Sequence, residues 1–199
     1  MKKVMKIFLV VIFSLFIVGC GNTMSTPTNK VEEFLGKYQN MDDDVTIQLD
    51  EVLDSEDMSS EQKEKYRSIL EKQYQNLSYK IKNEEINGDN ATVDVEIKVL
   101  DYATTINDAK KYYEEHKEEI DKKYNEEHKD NVVEDAVEGV EEALEKSAAY
   151  IDYKLKELEN VTDTISYDIT FYLSKENGKW KIQDLSDVDL KKIHGLYEG

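Results

Sequence analysis

Histidines, a run of acids, clustered tyrosines and a single cysteine are the candidates for chemistry in this sequence. On a straight helix over residues 105–131, His116 and His128 would lie about 18 Å apart along the axis and about 120° apart around it, so they could not share a metal ion. Each has a tyrosine four residues before it, Tyr112 or Tyr124, and Ile120 or Val132 four after. That spacing points to partial burial beside an apolar stripe. His194 has no evident partner. Asp42, Asp43 and Asp44 lack the Asp/Asn-Gly-Glu spacing of a calcium loop, and read better as carboxylates at a helix N-terminus. Among 13 tyrosines, Tyr112, Tyr113, Tyr150 and Tyr153 invite sugar stacking, but most sit at or beside apolar-stripe positions, so packing is their expected role. The chain contains no HExxH, CxxC, glycine-rich phosphate loop or Gly-x-Ser-x-Gly elbow. No metal and no cofactor are therefore expected.

The cysteine, Cys20, stands at the end of a leading apolar segment. Lys2, Lys3 and Lys6 precede a twelve-residue apolar run, Ile7 to Val18, broken only by Ser14. A basic start, a short apolar core and small residues form a secretory signal. The run is too short for a spanning helix, which needs about 20 apolar residues. Ile17-Val18-Gly19-Cys20 resembles the lipobox of bacterial lipoproteins. The resemblance implies that residues 1–19 are removed and that Cys20 is acylated and becomes the new N-terminus. The protein would then sit on the extracytoplasmic face of the cell membrane, held by lipid. One acyl chain binds membrane only marginally, so stable anchoring would need two or more.

Removing Met1–Gly19 takes away three lysines and no acid, moving the net charge from −18 to −21. Nucleic acid demands a basic footprint, so it is excluded as a partner. The acidic balance also argues against the domain lying on an anionic bilayer. About 180 residues remain, enough for one domain. With Cys20 acylated, no thiol is left for a disulfide, and the fold must stand on packing.

Residues 20–28 read as a lipidated tether, and 29–199 as one α+β domain. Thr26 is a helix cap and Pro27 suits the first helical position; Val31, Phe34, Leu35 and Tyr38 form the buried stripe. Met41–Asp57 carries both periods, with Val45, Ile47 and Leu49 alternating and Leu49, Val52 and Leu53 stepping as a helix; helix is preferred. Ser59 and Gln62 make a capping box ahead of Tyr66, Leu70, Tyr74 and Leu77. The period then changes to two. Tyr79 and Ile81, the turn Asn87-Gly88-Asp89-Asn90, and Ala91, Val93, Val95, Ile97 and Val99 describe an antiparallel hairpin.

A helical stretch follows, with an internal repeat: Lys110–Lys117 is echoed twelve residues on by Lys122–Lys129. Two helices with a break near Asp130-Asn131 are expected, packed as an antiparallel hairpin. The first would bury Ile106, Ala109, Tyr113, His116, Ile120 and Tyr124. The second would bury Val133, Val137, Val140, Leu144, Ala148, Ile151, Leu155 and Leu158. Ile165, Tyr167, Ile169, Phe171 and Leu173 alternate again, Asn177-Gly178 turns the chain, and Trp180 and Ile182 return. Ser186 or Asp187 caps a terminal helix with Leu190 and Ile193.

The segments Gly88–Val95 and Leu173–Ile182, the latter with its Asn-Gly-Lys-Trp hairpin, resemble small bacterial lipoproteins of the nuclear-transport-factor-2-like (cystatin-like) class. The resemblance covers roughly residues 28–102 and 162–187. It implies N-terminal helices packed on a curved antiparallel sheet of about four strands. The helical segment, about 104–160, departs from that compact pattern and is expected to be a long helical hairpin inserted between strands 2 and 3. That hairpin either shuts the cone or projects from it. Some proteins of this fold are enzymes using an acid or a tyrosine inside the cone, which makes Asp184 and Tyr167 the candidate catalytic pair of an isomerase- or dehydratase-like alternative. The preferred expectation is a non-catalytic module for a protein or small-molecule ligand, because the inward strand positions are almost wholly apolar and fold alone licenses no enzyme.

Overall fold

The computed structural model describes residues 26–56, 58–128 and 147–199. The leading segment, Cys20, most of the tether, the Asp130-Asn131 break and the stripe Val133, Val137, Val140 and Leu144 lie outside the described residues. The rest is an α+β arrangement of six helices and a four-stranded antiparallel sheet in the order β1-β2-β3-β4. In chain order these are α1 (Pro27–Asn40), α2 (Asp43–Ser55), α3 (Ser60–Asn76), β1 (Ser78–Asn87), β2 (Asn90–Leu100), α4 (Tyr102–Glu127), α5 (Ala148–Glu159), β3 (Thr164–Glu176), β4 (Lys179–Ile182) and α6 (Asp187–Ile193).

Local signals set the helix starts. The Thr26 side chain accepts from Asn29 N–H, with Pro27 in the first turn. Ser59 and Gln62 form both bonds of the capping box. Asp43 and Asp44 occupy the first turn of α2, where free N–H groups and the helix dipole favour carboxylates. The helical period wins in Met41–Asp57: Val45, Leu49, Val52 and Leu53 are buried, and Ile47, required by the strand pattern, is 56% exposed.

The sheet is half-buried. β2 and β3 pair without a shift from Asn90↔Ser174 to Leu100↔Thr164. This register places Ala91, Val93 and Val95 beside Leu173, Phe171 and Ile169 on one buried face. α1 and α3 pack on that face through β2, and Phe34 meets Phe171 edge-on at 5.8 Å. The other face is polar: Thr170 donates to Asp94 at 2.7 Å, and Lys82 pairs with Glu96 at 2.7 Å. Edge strand β1 carries Lys80, Lys82, Glu84 and Glu85 and shifts register between Ile81 and Asn83, features that discourage edge-to-edge pairing.

α4 and α5 follow one another between β2 and β3 among the described elements and pack antiparallel. Tyr112 lies beside Tyr153 and Tyr113 beside Tyr150, while the base is closed by Asp101 N–H donating to Asp163 C=O at 2.9 Å. Two expectations need correction. α4 is not straight, because His116 leaves the helical region (φ −123°, ψ 20°). Burial also fades along it: Ala109 and Tyr113 are buried, but Ile106, His116, Ile120 and Tyr124 are only half-buried. The physical reason is that the outer part of α4 leaves the main core. It packs in a separate small cluster built on Tyr113, Ala149 and Tyr150. On α5 the buried positions are Ala149, Tyr150, Ile151, Lys154, Leu155 and Leu158, with Ala148 half-buried.

The twelve-residue repeat has a structural meaning. His116 stacks on Tyr112 at 4.0 Å and donates from Nδ1 to the Tyr112 carbonyl at 3.0 Å. His128 stacks on Tyr124 at 4.1 Å and donates to the Tyr124 carbonyl at 2.9 Å. One copy sits at the kink and the other at the C-cap of α4. In each copy the imidazole stacks on, and bonds back to, the tyrosine one turn before it, where the helix kinks or ends.

Candidate functional site

Among the described residues the inner face of the sheet is packed rather than open. That face is filled by Val93, Val95, Ile97, Val99, Ile169, Phe171 and Leu173 against α1 and α3. Tyr167 is half-buried, and its hydroxyl donates to the Tyr197 carbonyl at 3.0 Å. Asp184 lies past the end of β4, exposed. The neighbours that act on the Tyr167 phenol, after its burial, are Asp101 and Tyr197, not Asp184. The Tyr167 hydroxyl is thus engaged by Tyr197 rather than by Asp184. Among the described residues no group of three His, Cys, Asp or Glu could hold a metal.

The buried polar centre of the main core is elsewhere, at His194. It is the residue after α6 and is buried, and its Nδ1 lies 3.0 Å from the Tyr74 hydroxyl of α3. The Tyr38 ring stands 6.2 Å away. Burial drives the His194 pKa down to about 4, because removal from water penalises the imidazolium and no carboxylate bonds the ring. Burial also raises Tyr74 and Tyr38 above the ordinary phenol range. The neutral ring thus accepts or donates a hydrogen bond but exchanges no proton near neutrality. Beside it, Tyr38, Gln48, Tyr66 and Tyr74 line a cavity of about 30 Å³, room for about one water. On its other side a 130 Å³ cavity opens toward Asp187, Lys191 and Glu198.

Sequence reasoning missed this partnership. Tyr74 was legible as a stripe residue, but a contact between residues 120 positions apart leaves no local signal. Gln73 was missed for the same reason. Wholly buried on α3, it accepts from Leu100 N–H at 2.9 Å and donates to Leu100 C=O at 3.4 Å, closing the end of β2. Gly195 follows His194 with φ +69°, and its carbonyl accepts from Ala103 N–H at 2.9 Å. These contacts bind the C-terminus to the start of α4.

The four helix tyrosines separate into two pairs. Tyr113 and Tyr150 are fully buried. The Tyr113 hydroxyl bonds Asp121 and lies 3.1 Å from Ser147 Oγ, and the Lys154 ammonium stands 5.1 Å over the Tyr150 ring. Both are packing residues. Tyr112, 47% exposed, and half-buried Tyr153 stack at 5.7 Å and wall a groove of about 440 Å³ between α4 and α5. Asp108, Glu157 and Asp163 also line it, and the lining contains no Lys or Arg. Burial first, then Glu157 and Tyr112, raises the Tyr153 phenol.

No protein-family model, curated protein or solved structure matches this chain. The fold and these sites therefore carry the functional argument alone.

Proposed function

We propose that this chain is a bacterial lipoprotein, anchored through lipid on Cys20 to the extracytoplasmic face of the cell membrane, whose α+β domain binds a protein or small-molecule ligand and performs no catalysis. The observation that carries the non-catalytic part is the filled inner face of the sheet. Apolar side chains from β2 and β3 occupy the space where a cone-fold enzyme would hold substrate. The signal-like start and Ile17-Val18-Gly19-Cys20 support the anchor. No helix among the described residues is long and apolar enough to cross a membrane, so attachment rests on the leading segment. The acidic balance keeps the domain off an anionic bilayer and in water.

The nuclear-transport-factor-2-like reading is supported by three helices preceding the sheet, with α1 and α3 on its apolar face. The described helices α4 and α5 support the helical insertion, about 104–160, between strands 2 and 3, and the packing of the outer part of α4 in its own cluster favours an insertion that projects. The test is fractionation of cells expressing the chain and its Cys20→Ala variant. Wild type is expected in the membrane fraction at a processed mass. A Cys20→Ala chain that stays membrane-bound with unchanged mobility would refute the anchor.

A further inference from the structure

We propose that the 130 Å³ cavity beside α6 binds a small neutral carbonyl compound, its apolar body seated against Leu190 and Leu196 and its oxygen accepting from His194 Nε2–H. This rests on the binding-module reading above and names its ligand class.

His194 lines two cavities, the 30 Å³ one toward α3 and the 130 Å³ one that opens to the surface. Its two ring nitrogens differ. Nδ1 lies 3.0 Å from the Tyr74 hydroxyl, on the α3 side. That hydroxyl has no other acceptor among the described residues, and burial keeps it a phenol, so it donates to Nδ1. Burial likewise keeps the imidazole neutral at ordinary pH. Its single proton therefore sits on Nε2. His194 is only 8% exposed, yet Nε2 bonds no atom among the described residues. A buried N–H takes its partner from protein, water or ligand, and the 130 Å³ cavity is the space left for one.

The walls select the rest. Ala103 and Ile106 at the start of α4, with Leu190 and Leu196, make the lining apolar around the ring. The charged side chains, Asp187, Lys191 and Glu198, are all exposed, so an ion seated at Nε2 would lose water without gaining a buried partner. Two acids against one lysine disfavour an anion further. An alcohol brings an O–H for which none of those apolar side chains offers an acceptor, whereas a carbonyl brings an acceptor alone. A dry cavity of about 150 Å³ takes one benzene ring, so this one suits a ligand of about seven non-hydrogen atoms.

The experiment is NMR titration of the full-length chain in detergent with cyclohexanone, read on the backbone amides and on the His194 ring nitrogens. Before ligand is added, the ring should carry its proton on Nε2. Saturable shifts are expected at Nε2 and at residues 103–106 and 187–198, with a dissociation constant on the order of 1 mM. His194→Asn, which does not reach the Nε2 position, should weaken binding about fivefold. Ile106→Phe, which fills the cavity from a half-buried position, should abolish saturation and keeps the test decisive if His194→Asn does not fold. Ile47→Ala, exposed on α2, should change binding less than twofold. A proton found on Nδ1 overturns the proposal. So does the absence of saturation in wild type, an unchanged response in Ile106→Phe, or cyclohexanecarboxylate binding more tightly than the ketone. Any of these with Cys20-dependent membrane attachment intact overturns the carbonyl site and leaves the anchored module standing.

Discussion

Acid should unfold this protein through His194 ahead of what its carboxylates alone would do. His194 is buried against Tyr38 and Tyr74, with its pKa lowered from 6.5 to about 4. In the unfolded chain the imidazole returns to its ordinary value. The unfolded state therefore binds more protons between those two values, and stability falls as pH falls. The contribution is fully present above the unfolded pKa and is lost progressively down to the folded one. One proton over this window is worth about 2 kcal/mol of lost stability by pH 5 and about 3 kcal/mol by pH 4, relative to pH 7. The charged groups nearest on the cavity side are Asp187, Lys191 and Glu198; the faces toward α1 and α3 present only tyrosine hydroxyls among the residues lining the cavity there. The assay is urea unfolding from pH 4 to pH 7.5 for wild type and His194→Asn. Asn keeps a hydrogen-bonding group near Nδ1 and does not titrate. The variant should be less stable at pH 7 by about 1–3 kcal/mol for the lost ring volume and contacts, yet flatter with pH by about one proton between pH 4.5 and 6. Identical slopes would refute the reasoning, because carboxylate titration is common to both proteins.

Other expectations follow from the same core. Gly195→Ala should destabilise by about 2 kcal/mol or more, read as a drop in Tm: at φ +69° a Cβ would collide with the Leu100 carbonyl oxygen and the Gln73 amide. Gln73→Leu should cost about 2–3 kcal/mol in urea unfolding, since it leaves both Leu100 backbone groups buried without their partner. Ser59→Ala should cost about 1 kcal/mol, measured the same way, by removing the acceptor for Gln62 N–H.

Much of this architecture is legible because it is local. The Thr26-Pro27 start, the Ser59/Gln62 box and the period-two runs of β2 and β3 are each decided within a few residues, and the structure places them where the pattern does. Legibility fails where the deciding partner is distant. The Tyr-x-x-x-His repeat was visible, but the kink at His116 was not, because a broken helix and a straight one share the same apolar spacing. Tyr112 and Tyr113 are neighbours in sequence, yet one is 47% exposed and the other fully buried. Only the packing of α5 separates them. Asp184 shares parity with Trp180 and Ile182, but β4 ends at Ile182 and the parity argument ends with it. His194 and Tyr74 become a pair only when α6 closes on α3.

The central claim is that the working protein begins at Cys20 and is held to the membrane by lipid there. Intact mass and N-terminal peptide mass of the chain extracted from membranes test it most directly. The account predicts a chain starting at Cys20, with the mass of at least two acyl chains on that residue and no peptide from residues 1–19. A chain retaining Met1–Gly19, or one with a free Cys20 thiol, would contradict it.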